Sequence, residues 1–406
     1  MNKVTRRNFI FRGGGCAAAM GFLGIAAQAG GRSAQSGSAG RPLMMRPLGK
    51  TGIVLPIVNM GVMNAFSPEL VKRSFEVGVR HFDTAAYYQR GQNEAMVGKA
   101  LKEMGVRDQV VIGTKVFVPH EQRPRMSPAD LKTFFLATAE ESLKRLQTEV
   151  IDIFYAHNVQ DIGYLNNPGI REALVTLKER KKARQIGFTV HQNMRELVQD
   201  AVKSGFYDVI AVAFNYSMAD DRGLIDALEK AHGQGIGLVA MKTQCTQYWY
   251  REYVPSEKQS YYQGKILHTA VLKWVLRHDF ITCAIPGYTT FPQLEEDISV
   301  ASDLEYTPEE KAFLADRQVK LALQSYCRQC GSCLATCPKG VEIPTLMRVH
   351  LYAACYGNFA QARSTLEELP GGKRLLACTS CESCMARCVR RVPVGQRIQE
   401  LKAIYA

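Results

Sequence analysis

His81-Phe82-Asp83-Thr84-Ala85-Ala86-Tyr87-Tyr88 begins as an apolar strand pattern and breaks off into polar and aromatic side chains. Two later runs end in the same way, one in Gly113-Thr114-Lys115 and one in Phe154-Tyr155-Ala156-His157-Asn158. Reading outward from these three, short β-branched runs recur at 53–60, 79–84, 110–116, 150–157, 183–189, 209–215, 236–241 and 281–286. Longer amphipathic patterns, for example 131–146, 170–180 and 267–276, fill the gaps as helices. Eight strands, each followed by a helix, over about 250 residues predict an α/β chain folded as a (β/α)8 TIM barrel. Chemistry in such a barrel sits at the carboxyl ends of the strands, which is where the three polar endings fall.

At 406 residues the chain has room for that barrel and a smaller appendage, and its 46% hydrophobic content is ordinary for a globular protein. No apolar stretch reaches membrane-spanning length. The net charge of +13 is concentrated at the two ends: residues 1–68 hold eight Lys/Arg and no Asp/Glu, and residues 321–406 hold eleven against five. The large central region is therefore close to neutral and lacks the basic, aromatic-interleaved stripe of a nucleic-acid binder, so no nucleic-acid partner is expected.

The three strand endings resemble the aldo-keto reductases, whose Phe-Asp-Thr-Ala-x-x-Tyr, Thr-Lys and strand-four His appear in order as Phe82 to Tyr88, Thr114-Lys115 and His157. The resemblance runs from Arg46-Pro47-Leu48-Gly49-Lys50-Thr51-Gly52, similar to the family's opening hairpin, to Ile285-Pro286-Gly287. It implies a catalytic tetrad of Asp83, Tyr88, Lys115 and His157, with the five-residue step from Asp83 favouring Tyr88 over Tyr87. A phenol titrates at about 10 and gives up its proton poorly at neutral pH, so an adjacent ammonium is expected to lower its pKa. Lys115 can take that part, and Asp83 can keep Lys115 charged and oriented. His157 can then hydrogen-bond a substrate carbonyl while Tyr88 acts as general acid.

The resemblance also implies a nicotinamide site at Thr189, Asn215, Met241, Lys242, Gly287, Glu296 and Asp297. The chain departs from the family where Val190 replaces Asn, Ala213 replaces Gln, and Met241-Lys242 replaces the aromatic that stacks on the nicotinamide. Members selective for NADP place Lys just after the strand-eight Pro and Arg at the position of Gln293; here Gly287 and Gln293 offer no cation to a 2′-phosphate. NAD(H) and NADP(H) both stay open as the cofactor.

Eight of the twelve cysteines form two runs, Cys327-x2-Cys330-x2-Cys333-x3-Cys337-Pro338 and Cys378-x2-Cys381-x2-Cys384-x3-Cys388. A disulfide framework would spread its cysteines over the fold, and zinc would take four thiolates in well-separated pairs. These runs instead match the bacterial ferredoxin spacing and imply two [4Fe-4S] clusters. In two-cluster ferredoxins the fourth Cys of each run ligates the other cluster. The implied sets are Cys327, Cys330, Cys333 with Cys388, and Cys378, Cys381, Cys384 with Cys337. The insert 341–369 has a helical pattern, which points to a small, mainly helical two-cluster ferredoxin-like domain after the barrel. Cys245, Cys283 and Cys355 have no partner motif and are expected as buried small apolar residues.

Thr5-Arg6-Arg7-Asn8-Phe9-Ile10, a Gly/Ala-rich run at 13–29 and the small-x-small Ala27-Gln28-Ala29 resemble a twin-arginine export signal, with Cys16 inside it. That route carries folded, cofactor-loaded proteins, which suits a chain loaded with clusters before export. The expected organisation is signal peptide 1–29, linker 30–45, barrel 46–318 and cluster domain 319–406, in the periplasm with no transmembrane segment after signal removal. The expected function is interconversion of a small-molecule carbonyl and alcohol. The clusters would pass electrons to or from a redox partner protein or a quinone-linked donor or acceptor. The alternative is an iron–sulfur electron-transfer protein whose barrel is a non-catalytic scaffold. A hydride carries two electrons and each cluster handles one, and no flavin motif bridges them.

Overall fold

The computed structural model describes residues 42–244, 266–324, 326–378 and 380–405; the expected signal peptide, most of the linker and Cys245 lie outside them. An antiparallel hairpin of β1 (Met45–Pro47) and β2 (Val54–Pro56) precedes eight parallel strands. These are β3 (Met60–Gly61), β4 (His81–Asp83), β5 (Val111–Val116), β6 (Ile151–Val159), β7 (Ala183–Val190), β8 (Val209–Ala213), β9 (Gly237–Met241) and β10 (Cys283–Ala284), hydrogen-bonded in chain order. A parallel bridge from Val58 to Ala284 closes the sheet into a barrel, with the Asn59 amide donating to the Ala284 carbonyl and the Ala284 amide to that of Ile57, each at 2.8 Å.

The pattern at 53–60 reads as one strand, and the chain divides it. Pro56 has no N–H for a central ladder, so the strand breaks there and only residues beyond it join the barrel. The hairpin turns under the barrel instead, where Leu48 and Leu55 pack with Ile153, Val209 and Val239 as a floor. Gly49 makes this possible: it sits at φ +54°, and a Cβ there would lie 2.3 Å from the Gly235 carbonyl oxygen.

Helices α1 (Pro68–Glu76), α2 (Gln92–Met104), α3 (Pro128–Leu146), the single turn α4 (Ile162–Leu165), α5 (Pro168–Glu179), α6 (Met194–Ser204), α7 (Arg222–Gly233), α8 (His268–Leu276) and α9 (Phe291–Ser299) bury apolar faces against the sheet. The patterns at 131–146, 170–180 and 267–276 fall on α3, α5 and α8. Ser127 and Asp130 form a capping box that starts α3, a feature worth about 1 kcal/mol. Helices α10 (Pro308–Ala315) and α11 (Arg317–Gln324) lead away from the barrel sequence.

The rest of the chain is mainly helical. It comprises α12 (Ile343–His350), a π-helical turn at Leu351–Cys355, α13 (Phe359–Glu367) and α14 (Val394–Tyr405), with the cysteine runs in the loops around them. Its core, including Val341, Leu346, Val349, Leu375 and Leu401, also takes in Met63, Ala85 and Tyr88 from the barrel. The module therefore stands on the mouth formed by the carboxyl ends of the strands. No described helix is long and apolar enough to cross a membrane.

Candidate active site

The parallel register carries Asp83, Lys115 and His157 to the same end of adjacent strands, Asp83 opposite Gly113 and Lys115 opposite Tyr155. Gly113 leaves the space they need, since a Cβ there would lie 3.0 Å from Asp83 Oδ2 and 2.9 Å from His81 Nε2. Lys115 Nζ donates to Asp83 Oδ1 and, at 2.6 Å, to the Thr84 carbonyl. Burial pulls the Lys115 pKa down while Asp83 works to hold it up.

Tyr88 lies against this pair, its ring centroid 5.4 Å from Lys115 Nζ and 5.8 Å from the His157 ring, which stands edge-on to it. His157 is held neutral, its pKa driven well below the usual imidazole value by burial and then by the Lys115 charge. The structure thus brings Asp83, Tyr88, Lys115 and His157 together. Tyr87 points elsewhere: its hydroxyl donates to Glu368 and lies 3.1 Å from Thr365 Oγ1, both beyond the barrel sequence.

One expectation is reversed. The Tyr88 phenol is not lowered by Lys115 but raised well above its ordinary value, first by burial and then by the Asp83 charge. The module excludes the water that would solvate a phenolate, so Tyr88 keeps its proton, the form a general acid requires.

Beside Tyr88 is a cavity of about 80 Å³ whose walls include Asp83, Met241, Lys242, Gly287 and Gln293, and Tyr356 from the module. Of the seven residues assigned to the dinucleotide by resemblance, Met241, Lys242 and Gly287 line it and the other four do not. Thr189 Oγ1 accepts from the Asn158 amide at 2.8 Å. Asn215 is engaged at both ends of its amide, with Nδ2 donating to the Lys242 carbonyl at 3.0 Å and Oδ1 accepting from the Ser217 amide at 3.1 Å. These bonds tie the loop after β8 to the end of β9. Asp297 is turned inward, accepts from Gln244, and is pushed well up by burial; Glu296 is partly buried beside it. Gln293 Oε1 accepts from the Thr289 amide at 2.7 Å as part of the α9 cap.

The sequence model of the aldo/keto reductase family matches residues 59–315, which contain all four tetrad positions. The chain belongs to the aldo/keto reductase family. This aldo/keto reductase is 27% identical to L-galactose dehydrogenase of Arabidopsis thaliana over 296 residues, covering 64% of this chain and 89% of the relative. It is 25% identical to L-glyceraldehyde 3-phosphate reductase of Escherichia coli (strain K12) over 338 residues, 69% of this chain and 94% of the relative. Its fold matches the holo form of aldo-keto reductase AKR11C1 from Bacillus halodurans with a TM-score of 0.55 at 21% identity, covering 69% of this chain and 100% of that one. Family and relatives make the protein an oxidoreductase.

The family match stops before the first cysteine run, yet this reductase uses residues from beyond it at its mouth. Arg348 Nη1 donates to Asn158 Oδ1 at 3.3 Å, and its Nη2 lies 3.6 Å from Glu368 Oε2. Asn358 Nδ2 donates to Asn64 Oδ1 at 2.9 Å. Lys242 Nζ stands 4.6 Å from the ring centroid of Tyr352 and 5.4 Å from that of Tyr356. No barrel motif signals these groups; the four-residue step from Tyr352 to Tyr356 on a helical pattern is the one cue in the sequence.

All eight run cysteines are free of disulfides, and Cys283 and Cys355 are buried as expected. Burial pushes the Cys327 thiol up to about 12, with Cys333 and Cys388 adding to the shift. Burial likewise brings Cys333 to about 11, with Cys388 and Cys330 adding, and raises Cys378, with Cys337, Cys381 and Cys384 adding. Cys327 and Cys333 thus have Cys330 or Cys388 among their neighbours, and Cys378 has Cys337, Cys381 and Cys384. Among the described residues, no group of three or more His, Cys, Asp or Glu converges as the ligands of a metal ion would.

Proposed function

We propose that this aldo/keto reductase is an exported, periplasmic enzyme that interconverts a carbonyl and an alcohol at Tyr88 and carries two [4Fe-4S] clusters in residues 319–406. The observation that carries the reading is that the cysteine-bearing module also covers the tetrad tyrosine, so that Tyr88, Cys333 and Cys378 belong to one packed core.

Tyr88 gives its proton to the carbonyl oxygen, and neutral His157 holds that oxygen with a ring N–H. Lys115, fixed by Asp83 and the Thr84 carbonyl, offsets the negative charge left on the Tyr88 oxygen. When bound, a nicotinamide dinucleotide supplies the hydride. Met241, Lys242 and Gly287 are the residues that would face it. One cluster would be held by Cys327, Cys330, Cys333 and Cys388, the other by Cys378, Cys381, Cys384 and Cys337. The clusters, when present, supply one-electron steps toward a redox partner protein or a quinone-linked donor or acceptor.

The test is anaerobic purification followed by assay of bound iron, sulfide and nucleotide, with carbonyl reduction measured using NADH, NADPH and a reduced viologen. Turnover from a dinucleotide or through the iron–sulfur module supports the reading. Protein that binds no dinucleotide and reduces no carbonyl from any donor would sink it in favour of a scaffold barrel.

A further inference from the structure

The register of β6 on β7 slips at one place. Ala156 pairs with Phe188 and Val159 with Val190, so His157 and Asn158 together face Thr189 alone. This is a β-bulge, in which one extra residue bends the strand and re-aims the side chains beside it. Asn158 carries the bulge at φ +53°, in the left-handed region that Asn tolerates better than most residues. The direction of the His157 ring therefore depends on how firmly Asn158 is held.

Every polar group of Asn158 is engaged. Its N–H donates to Thr189 Oγ1 at 2.8 Å, its carbonyl accepts from Arg123 Nη2 at 3.3 Å, and its Nδ2 lies 3.5 Å from His120 Nε2. Those three partners belong to the barrel. The fourth bond comes from the module, where Arg348 on α12 donates to Asn158 Oδ1 at 3.3 Å. Arg348 is 5% exposed and its Nη2 lies 3.6 Å from Glu368 Oε2, so the guanidinium is fixed between a barrel amide and a module carboxylate. A planar, forked guanidinium suits two partners at set angles better than a flexible ammonium does. The family match ends at residue 315, so the barrel sequence by itself does not supply this donor.

We infer that Arg348 is a positioning residue for carbonyl reduction: held by Glu368, it fixes the Asn158 bulge and through it the His157 ring against Tyr88. Those two rings stand edge-on with centroids 5.8 Å apart, a relation that a shifted bulge would change. Asp83 and Lys115 are joined to each other inside the barrel and take no bond from the module. The inference rests on the carbonyl-reductase reading, and it gives the cysteine module a part in orienting the tetrad that does not depend on electron transfer.

Two measurements on the full-length, anaerobically purified protein test it. The first is reduction of 4-nitrobenzaldehyde, a small uncharged aldehyde, with NADH or NADPH. Arg348→Met and Asn158→Ala should each lower kcat about tenfold or more, with the calorimetric affinity for the dinucleotide unchanged. The double variant should be no slower than the worse single one, because both changes break the same bond. Arg348→Met leaves Glu368 buried without its cation, so Arg348→Met/Glu368→Gln, which removes both charges, guards against loss of fold and should show the same low kcat. Tyr87→Phe breaks the other bond to Glu368 and spares Asn158, so its kcat should stay near wild type. The second measurement is independent of turnover: NMR of protein labelled with 13C at histidine Cε1, the His157 signal being identified by its absence in His157→Gln. That signal should move in Arg348→Met and in Asn158→Ala and stay in place in Tyr87→Phe. Unchanged kcat in Arg348→Met/Glu368→Gln, losses that multiply in Arg348→Met/Asn158→Ala, or a His157 signal that does not move in Asn158→Ala overturns the positioning role and leaves the reductase reading intact. A His157 signal that moves as stated in a protein that reduces no carbonyl keeps the brace and removes the reductase reading.

Discussion

The Tyr87 hydroxyl donates to the Glu368 carboxylate, joining the loop after β4 to the end of α13 across 281 residues of chain. The same carboxylate lies 3.6 Å from Arg348, whose guanidinium reaches back to Asn158 at the end of β6. Glu368 is buried and its carboxyl is raised by that burial, with Arg348 and Tyr87 opposing. The barrel and the cysteine module are therefore tied together one residue away from Tyr88.

The two adjacent tyrosines should separate cleanly on mutation. Tyr87→Phe removes a buried bond to Glu368 and should cost about 1–3 kcal/mol of stability, read as a lower Tm, while carbonyl reduction persists. Tyr88→Phe should lower kcat by about 10²- to 10⁴-fold with little change in Tm or iron content. The opposite pattern would hand the proton transfer to Tyr87.

Iron and sulfide assays of the reconstituted protein should give about eight of each per chain. Cys388→Ser should disturb the cluster of Cys327, Cys330 and Cys333 and spare the other, and Cys337→Ser should do the reverse, visible as loss of one of two cluster signals in electron paramagnetic resonance of the reduced protein. Zinc in place of iron, or Cys388→Ser acting on the cluster of its own run, would contradict the proposed ligand sets.

Dinucleotide selectivity should be weak. Gly287 lines the cavity without a side chain and Gln293 is occupied in capping α9, so the contacts of a Lys–Arg grip on a 2′-phosphate are missing. Two such contacts at about 1.5 kcal/mol each correspond to roughly a hundredfold in relative affinity. Calorimetry should show NADH binding as tightly as NADPH or more so; a strong preference for NADPH would mean that another cation reaches the phosphate.

Export should depend on Arg6 and Arg7. Changing both to Lys keeps the charge and removes the receptor-read pair, so the protein should stay in the cytoplasm with its signal uncleaved. Fractionation and immunoblotting decide the matter, and unchanged export of the double variant would point to another route.

Sequence alone determined the elements whose information is local. The period-2 and period-3.6 patterns marked the strands and helices of the barrel, the polar residues at strand ends marked Asp83, Lys115 and His157, and the five-residue step selected Tyr88. The cysteine spacings likewise carried the resemblance to two-cluster ferredoxins from which the proposed ligand sets follow. Tertiary structure decided what depends on surfaces brought from far along the chain. Leu55 left the first strand pattern because a floor had to be packed, and Asn215 braces the end of β9 because the Lys242 carbonyl lies within its reach. Tyr88 became harder to deprotonate although Lys115 stands near it, because a phenol's pKa follows its solvation and the helices that remove its water begin some 250 residues later.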